Sequence, residues 1–195
     1  MPPAKGGGME DYFMLNNCGT SEIETERLVL KKFRKEYASD MFYGWMSDER
    51  VAKYTSWTAH TDINDTYAYI DYIMGQEESQ SYNWIIAAGG KLAGTINVCY
   101  IDEYAEICGV AYALSYDYWG KGIATEALKA VICYLFDKAG FRKIIAGCDS
   151  ENIGSRKVLE KAGMKQEACL RRQIRRKDGS YGDDLQFGLF KEEFQ

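Results

Sequence analysis

The sequence predicts a single α/β domain with a mixed, mostly antiparallel, twisted sheet of about seven strands flanked by helices. Three observations carry that prediction. Apolar residues recur with period two and period 3.6 in the order strand, helices, three strands, helix, strand, helix, two strands. The stretch Tyr118-Trp119-Gly120-Lys121-Gly122-Ile123-Ala124 is a glycine-bearing turn that runs straight into a long amphipathic segment. Both prolines fall at positions 2 and 3, so glycine and periodicity alone punctuate the remainder. A chain of 195 residues is long enough to bury one full core.

Arg27 to Phe33 reads as the first strand, and Tyr37 to Met46 and Asp48 to Lys53 as short helices with Ser47 or Asp48 as a cap between them. Ile63, Tyr67, Ile70 and Met74 keep helical spacing behind Thr61 and Asp62, two candidate caps. Tyr82 to Ala88 and Leu92 to Tyr100 form a hairpin across Gly89-Gly90-Lys91, the strongest turn signal in the chain. Glu106 to Leu114 follows as a strand, reached through the acidic turn Asp102-Glu103. Beyond the glycine turn, Ala124, Ala127, Leu128, Val131, Ile132, Leu135 and Phe136 make one apolar helix face, which ends at Gly140. Lys143 to Cys148 is a short buried strand, Asn152 to Ala162 a helix stopped by Gly163, and Met164 to Arg175 a strand. A turn at Lys177-Asp178-Gly179-Ser180 leads to a last strand from Asp184 to about Lys191.

Composition narrows the function classes. Hydrophobic residues make up 46% and charged residues 27%, a soluble balance, and no apolar run approaches the roughly 18 residues of a membrane span. Residues 1–22 read as a leader or tag-derived tail without the apolar core of a signal peptide, and 23–195 as the folded domain. Six scattered cysteines, with no C-x-x-C pair, read as reduced core thiols of a cytoplasmic protein and offer no metal site. A net charge of −5 argues against general nucleic-acid binding. The basic run Arg171, Arg172, Arg175, Arg176 and Lys177 is a local exception, either an anion site or the exposed positions of an edge hairpin.

The glycine turn has two readings. Gly120 and Gly122 can bend the backbone without Cβ obstruction, and the next helix begins with unpaired N–H groups, which together make a phosphate cradle. The same residues also suit an ordinary strand-to-helix turn.

Three blocks decide between the two. Tyr118-Trp119-Gly120-Lys121-Gly122-Ile123-Ala124, the stretch from Asn152 to Met164 (Asn-x-x-Ser closing on Lys-x-Gly-Met), and Thr25-Glu26-Arg27-Leu28-Val29-Leu30 occur in an order that resembles the GNAT superfamily of N-acetyltransferases. The likeness runs from about Glu24 to the C-terminus, and its form resembles the ribosomal-protein N-terminal acetyltransferase branch. Trp119 stands where the wider family carries Arg or Gln.

The resemblance implies an acetyl-CoA-dependent enzyme with a sheet splayed at the cofactor. Trp119, Gly120, Lys121, Gly122, Ile123 and Ala124 would then hold the pyrophosphate on backbone N–H groups, and Tyr112, Ala113 or Leu114 would offer a backbone donor to the developing oxyanion, worth roughly 3 kcal/mol. By the same resemblance Asn152 would bond the pantetheine and Ser155 would protonate the departing thiolate. Both also suit a plain helix start. Lys121 either adds attraction or is solvated.

A base must take a proton from the amine. Glu106 and Glu103, at the start of the strand leading to the turn, are the candidate carboxylates, Glu106 first, although many members of the resembled family carry their glutamate three residues later, where this chain has Gly109; His60, the single histidine, is the other candidate. Tyr54, Trp57, Tyr67 and Tyr82 are candidates for the acceptor wall. The acceptor is expected to be a primary amine, first a protein or peptide N-terminus, then a small amine such as a polyamine or aminoglycoside. A non-catalytic acyl-CoA sensor is the rival from another class, and the oligomeric state is open between monomer and homodimer.

Overall fold

The computed structural model describes residues 15–76 and 81–194. Eight strands form one sheet: β1 (Ile23–Glu24), β2 (Leu28–Lys31), β3 (Asn83–Ala88), β4 (Lys91–Asp102), β5 (Ile107–Leu114), β6 (Lys143–Asp149), β7 (Lys165–Arg175) and β8 (Tyr181–Phe190). The helices are α1 (Ala38–Met41), α2 (Glu49–Ala52), α3 (Ile63–Gln76), α4 (Ile123–Tyr134) and α5 (Ile153–Lys161). The spatial order is β1-β2-β3-β4-β5-β6-β8-β7. Every neighbouring pair is antiparallel except β5 and β6, which run parallel. The strand beyond the expected seven is β1, two residues long.

Side chains alternate across the sheet and feed two cores. On one face Cys108, Val110 and Leu114 of β5 and Ile144, Ala146 and Cys148 of β6 meet Ala127, Leu128, Val131 and Ile132 of α4. Full burial of each large aliphatic there stabilises by about 1.5–3 kcal/mol. On the other face Phe33, Met41, Trp45, Val51, Ile70 and Ile73 pack on Ile85, with Ala113 at the margin. Helices α1 to α3 thus cover the β3–β5 part of that second face.

Asp48 caps α2 by accepting from Arg50 N at 2.9 Å, as its sequence position suggests. After Tyr134 and Met41 the chain continues into π-helical turns, Leu135–Ala139 and Phe42–Met46.

Two expectations change. Of the leader expected at 1–22, residues 1–14 lie outside the described residues, but 15–22 dock along the sheet. Thr20 accepts from Asn83 N at 2.8 Å, Ser21 O accepts from Trp84 Nε1 at 2.7 Å, and Gly19 O accepts from the Tyr134 hydroxyl at 2.7 Å. Of the cysteines only Cys108 and Cys148 are buried, while Cys99, Cys133 and Cys169 are exposed. Cys133, for example, falls on the outward face of α4.

Candidate active site

The site begins where β5 and β6 stop pairing. Their parallel register holds only from Ile107–Lys143 to Gly109–Ile145, although β5 continues to Leu114 and β6 to Asp149. The two strands therefore part, and the backbone edges beyond Gly109 and Ile145 face a gap.

Which groups face it follows from the β4–β5 ladder. Ser115 N donates to Ala93 O at 2.8 Å, and the antiparallel alternation then directs Ala113 and Ala111 toward β4 and Tyr112 and Leu114 toward the gap. Ala113, expected as a donor to the oxyanion, is thereby excluded, because its backbone groups belong to the ladder. Trp119 fills a role the sequence does not announce: its indole N–H donates to Leu114 O at 2.8 Å, fastening the glycine turn to the end of β5.

Gly120 and Gly122 take φ of 72° and 78°, the left-handed region in which other L residues are strained. Gly122 is the N-cap of α4 and contributes no side-chain cap, so the N–H groups of Ile123, Ala124 and Thr125 leave the helix end without intrahelical partners. An ion pair holds this turn from outside. Arg27 Nε and Arg27 N donate to Glu126 at 2.6 and 3.0 Å, Thr25 Oγ1 donates to Glu126 at 2.6 Å, and Arg27 Nη1 donates to Lys121 O at 3.1 Å. Burial pushes the Glu126 carboxyl up, but the hydrogen bonds from Thr25 and Arg27 outweigh it and keep the group below its ordinary range. The Thr25-x-Arg27 block and the acidic first turn of α4 are the sequence traces of this clamp. Lys121 itself is exposed.

Across the gap, Asn152 caps α5 by accepting from Ser155 N at 3.1 Å. Ser155 Oγ lies 2.9 Å from the Tyr112 hydroxyl, which also donates to Ser155 O at 3.2 Å. A strand and a helix some forty residues apart in sequence thus share one hydroxyl pair. Burial holds the Tyr112 phenol neutral well above its ordinary range, with the Ser155 bond pulling the other way. Burial likewise pushes the neighbouring Cys148 thiol up to about 11.

The opposite face is assembled from distant segments. Arg176 binds the buried carboxylate of Asp149 through two nitrogens at 2.7 and 2.8 Å and Glu151 at 2.8 Å. Lys177 Nζ donates to Ala52 O and, at 2.6 Å, to Trp57 O, pulling the loop that carries Tyr54 and Trp57 against the β7–β8 turn. Two cations of the basic run are thus spent inside the fold. Arg50 stacks on Tyr116 at 3.8 Å, joining α2 to the segment that precedes the glycine turn.

Other expected residues fall elsewhere. Tyr82 is 2% exposed and packs against Trp84, Tyr134 and Phe141, so it is a core residue and not an acceptor wall. Tyr67 is exposed on α3. Glu106 sits at the paired end of β5, where its carbonyl accepts from Arg142 N. Six residues separate it from Tyr112, about 20 Å of strand, so it does not reach the gap. His60 bonds Thr66 at 2.8 Å and packs on Trp57, and burial lowers its pKa.

A sheet that opens at its parallel junction, beside a helix start without side-chain caps, makes this an α/β domain that offers backbone N–H groups to an anionic ligand. The model of the acetyltransferase (GNAT) domain matches residues 27–165, and the chain belongs to that family. It is 31% identical to an uncharacterised N-acetyltransferase, p20, of Bacillus licheniformis over 88% of this chain and 97% of the relative. A GNAT-family acetyltransferase from Bacillus anthracis superposes with a TM-score of 0.79 at 27% identity, covering 89% of this chain and all of that one. The fold also matches RimL, a ribosomal L7/L12 α-N-protein acetyltransferase solved with coenzyme A, with a TM-score of 0.81 at 16% identity over 87% of this chain and 98% of RimL. The protein is an N-acetyltransferase. Among the described residues no helix is long and apolar enough to cross a membrane.

Proposed function

We propose that this N-acetyltransferase takes its acetyl group from acetyl-CoA and delivers it to the N-terminal amine of a protein or peptide. The observation that carries this reading is the β5/β6 gap with the Tyr112–Ser155 hydroxyl pair on its wall. The donor supplies an acetyl group activated as a thioester. Backbone N–H groups of Gly122 to Thr125 suit a pyrophosphate, because partial positive charge gathers at a helix start and no side chain competes for it. Tyr112 and Leu114 direct further N–H groups into the gap, where an extended amide-bearing arm can pair with β5 as a missing strand would. The same donors stabilise a carbonyl oxygen that gains charge during attack.

Tyr112 and Ser155 then act as a proton source for the leaving sulfur. Tyr112 is held neutral, so the pair always has a hydroxyl proton to give. On the far face Ala111 and Gly147 are exposed, and we take them as the floor of a shallow trough between the Tyr54–Trp57 loop and the β7–β8 turn that Lys177 joins to it. A trough suits the end of an extended chain better than a closed pocket would. RimL, whose fold this chain shares, is described as acting on a ribosomal protein.

The test is thiol release from acetyl-CoA over Ala- and Ser-initiated hexapeptides, spermidine and kanamycin, after calorimetric titration with acetyl-CoA alone. Peptide-dependent release is expected. Release with the small amines alone would move the assignment to small-molecule acetylation, and binding without any release would make the protein a sensor.

A further inference from the structure

One carboxylate lies over β6, beside the gap, on the face away from Ser155. The β6–β8 register sets Asp184 opposite Asp149 and Gln186 opposite Gly147. Their neighbours Cys148, Leu185 and Phe187 are buried in the α4 core, so Asp149, Asp184 and Gln186 project from the other face, the face of the trough. Gly147 lies two residues past the last β5–β6 pair. A Cβ on Gly147 would fall 2.9 Å from Gln186 Nε2 and 3.1 Å from Asp184 Oδ1. Both side chains therefore lie across β6, in the space a side chain at 147 would occupy, at the open part of the junction.

Asp149, also on this face, is neutralised by Arg176. Asp184 accepts one hydrogen bond, from Gln186 Nε2 to Oδ2 at 2.6 Å, and no cation lies within ion-pair distance of it among the described residues. A partly buried carboxylate without a counterion is costly unless a cation joins it. If acetyl-CoA enters beside Ser155 and α4, the acceptor must come from this opposite face.

We propose that Asp184 docks the acceptor ammonium in this trough and takes its proton before attack. The inference rests on the cofactor placement given above. The ammonium sheds two protons. The first passes to Asp184 and then to solvent, leaving a neutral amine whose lone pair forms the N–C bond as the C–S bond breaks. The second leaves the nitrogen as the amide forms, and it replaces the proton that the Tyr112–Ser155 pair gives to sulfur. Burial pushes the Asp184 carboxyl above its ordinary range, Gln186 pulls it down, and the nearby Asp149 charge raises it further. The titratable groups on its own face are Asp149 and the Arg176 bound to it, while Cys148, on the opposite face of β6, has its pKa raised in part by the Asp184 charge. A base poised nearer neutrality is the better proton acceptor.

The test uses the full chain with acetyl-CoA, and either ethylamine at high concentration or an Ala-initiated hexapeptide as acceptor. Asp184→Asn should lower kcat/KM by about a hundredfold or more, flatten the acidic limb of its pH profile and leave the acetyl-CoA Kd unchanged, while Asp184→Glu keeps the limb. Gly147→Ala, which pushes both side chains aside, should lower kcat/KM in a folded protein of unchanged acetyl-CoA affinity. Wild-type kcat/KM with an intact limb in Asp184→Asn overturns the proposal, as does a wild-type enzyme that binds acetyl-CoA but releases no thiol with either amine. A wild-type enzyme that fails to bind acetyl-CoA overturns the cofactor placement itself, and this assignment falls with it.

Discussion

The two faces of the β5/β6 gap are built by different rules. On the α4 side the functional atoms are mostly backbone: N–H groups of a left-handed glycine turn and of one strand edge, held by Trp119 and by Arg27–Glu126. On the trough side they are side chains brought together from the loop after α2, from β6, from the β7–β8 turn and from β8, with Arg176 and Lys177 fixing their spacing. The first face depends on conformation and tolerates many side chains. The second depends on charge pairing, where one removed partner leaves another buried and unpaired.

The difference can be broken from either side. Arg176→Ala should cost the most, about 3–5 kcal/mol of stability, because it strands the buried Asp149 carboxylate; a denaturant midpoint within error of wild type would show that the trough does not depend on this pair. Arg176 holds the Asp149 carboxyl below its ordinary range, so its contribution is present above the usual aspartate pKa and is lost as pH falls through the lowered value. The wild-type melting temperature should drop in acid accordingly, and that of Arg176→Ala should drop less.

Next is Gly122→Val, which forces a β-branched residue to φ 78° with its Cβ 3.4 Å from Arg27 Nη2. Strain of about 1–3 kcal/mol should appear mainly as lost acetyl-CoA affinity in a chain that still unfolds cooperatively; unchanged affinity in titration would remove the cradle. Ser155→Ala should lower kcat about tenfold with the acetyl-CoA Kd unchanged, and a wild-type kcat would leave Tyr112 as the sole proton source. The smallest effect belongs to Tyr82→Phe. It loses the hydroxyl's hydrogen bond to Asn16 O at 3.3 Å and its weaker one with Cys18 Sγ at 4.0 Å, for about 1 kcal/mol, and the acceptor KM should not move.

This contrast also explains what the sequence made legible. The glycine turn, the Asn152 cap and the Gly89-Gly90 hairpin depend on residues adjacent in the chain, so local chemistry announces them. Arg27 and Glu126 meet across 99 residues; each leaves a local trace, but nothing local pairs the two. Glu106 looked suitable because it is acidic and opens the right strand, but a strand has two ends and the sequence does not tell which one gapes. β8 begins at Tyr181 instead of Asp184 because Asp183 and Asp184 interrupt the apolar alternation. Asp183 turns out to accept from Arg172 N at 2.9 Å, in the β7–β8 irregularity, and Asp184 lies on the trough face. Polar residues in a strand hide its start and mark where it is used.

One feature of the topology bears on synthesis. β8 follows β7 in the chain, yet it lies between β6 and β7 and carries one wall of the trough. Chains fold from the N-terminus as they emerge from the ribosome, so the glycine turn and α4 can be in place while β6 still lacks its partner. β7 then waits unpaired until β8 slides in beside it. The nascent protein gains its donor side before its acceptor side, because the trough wall waits for β8.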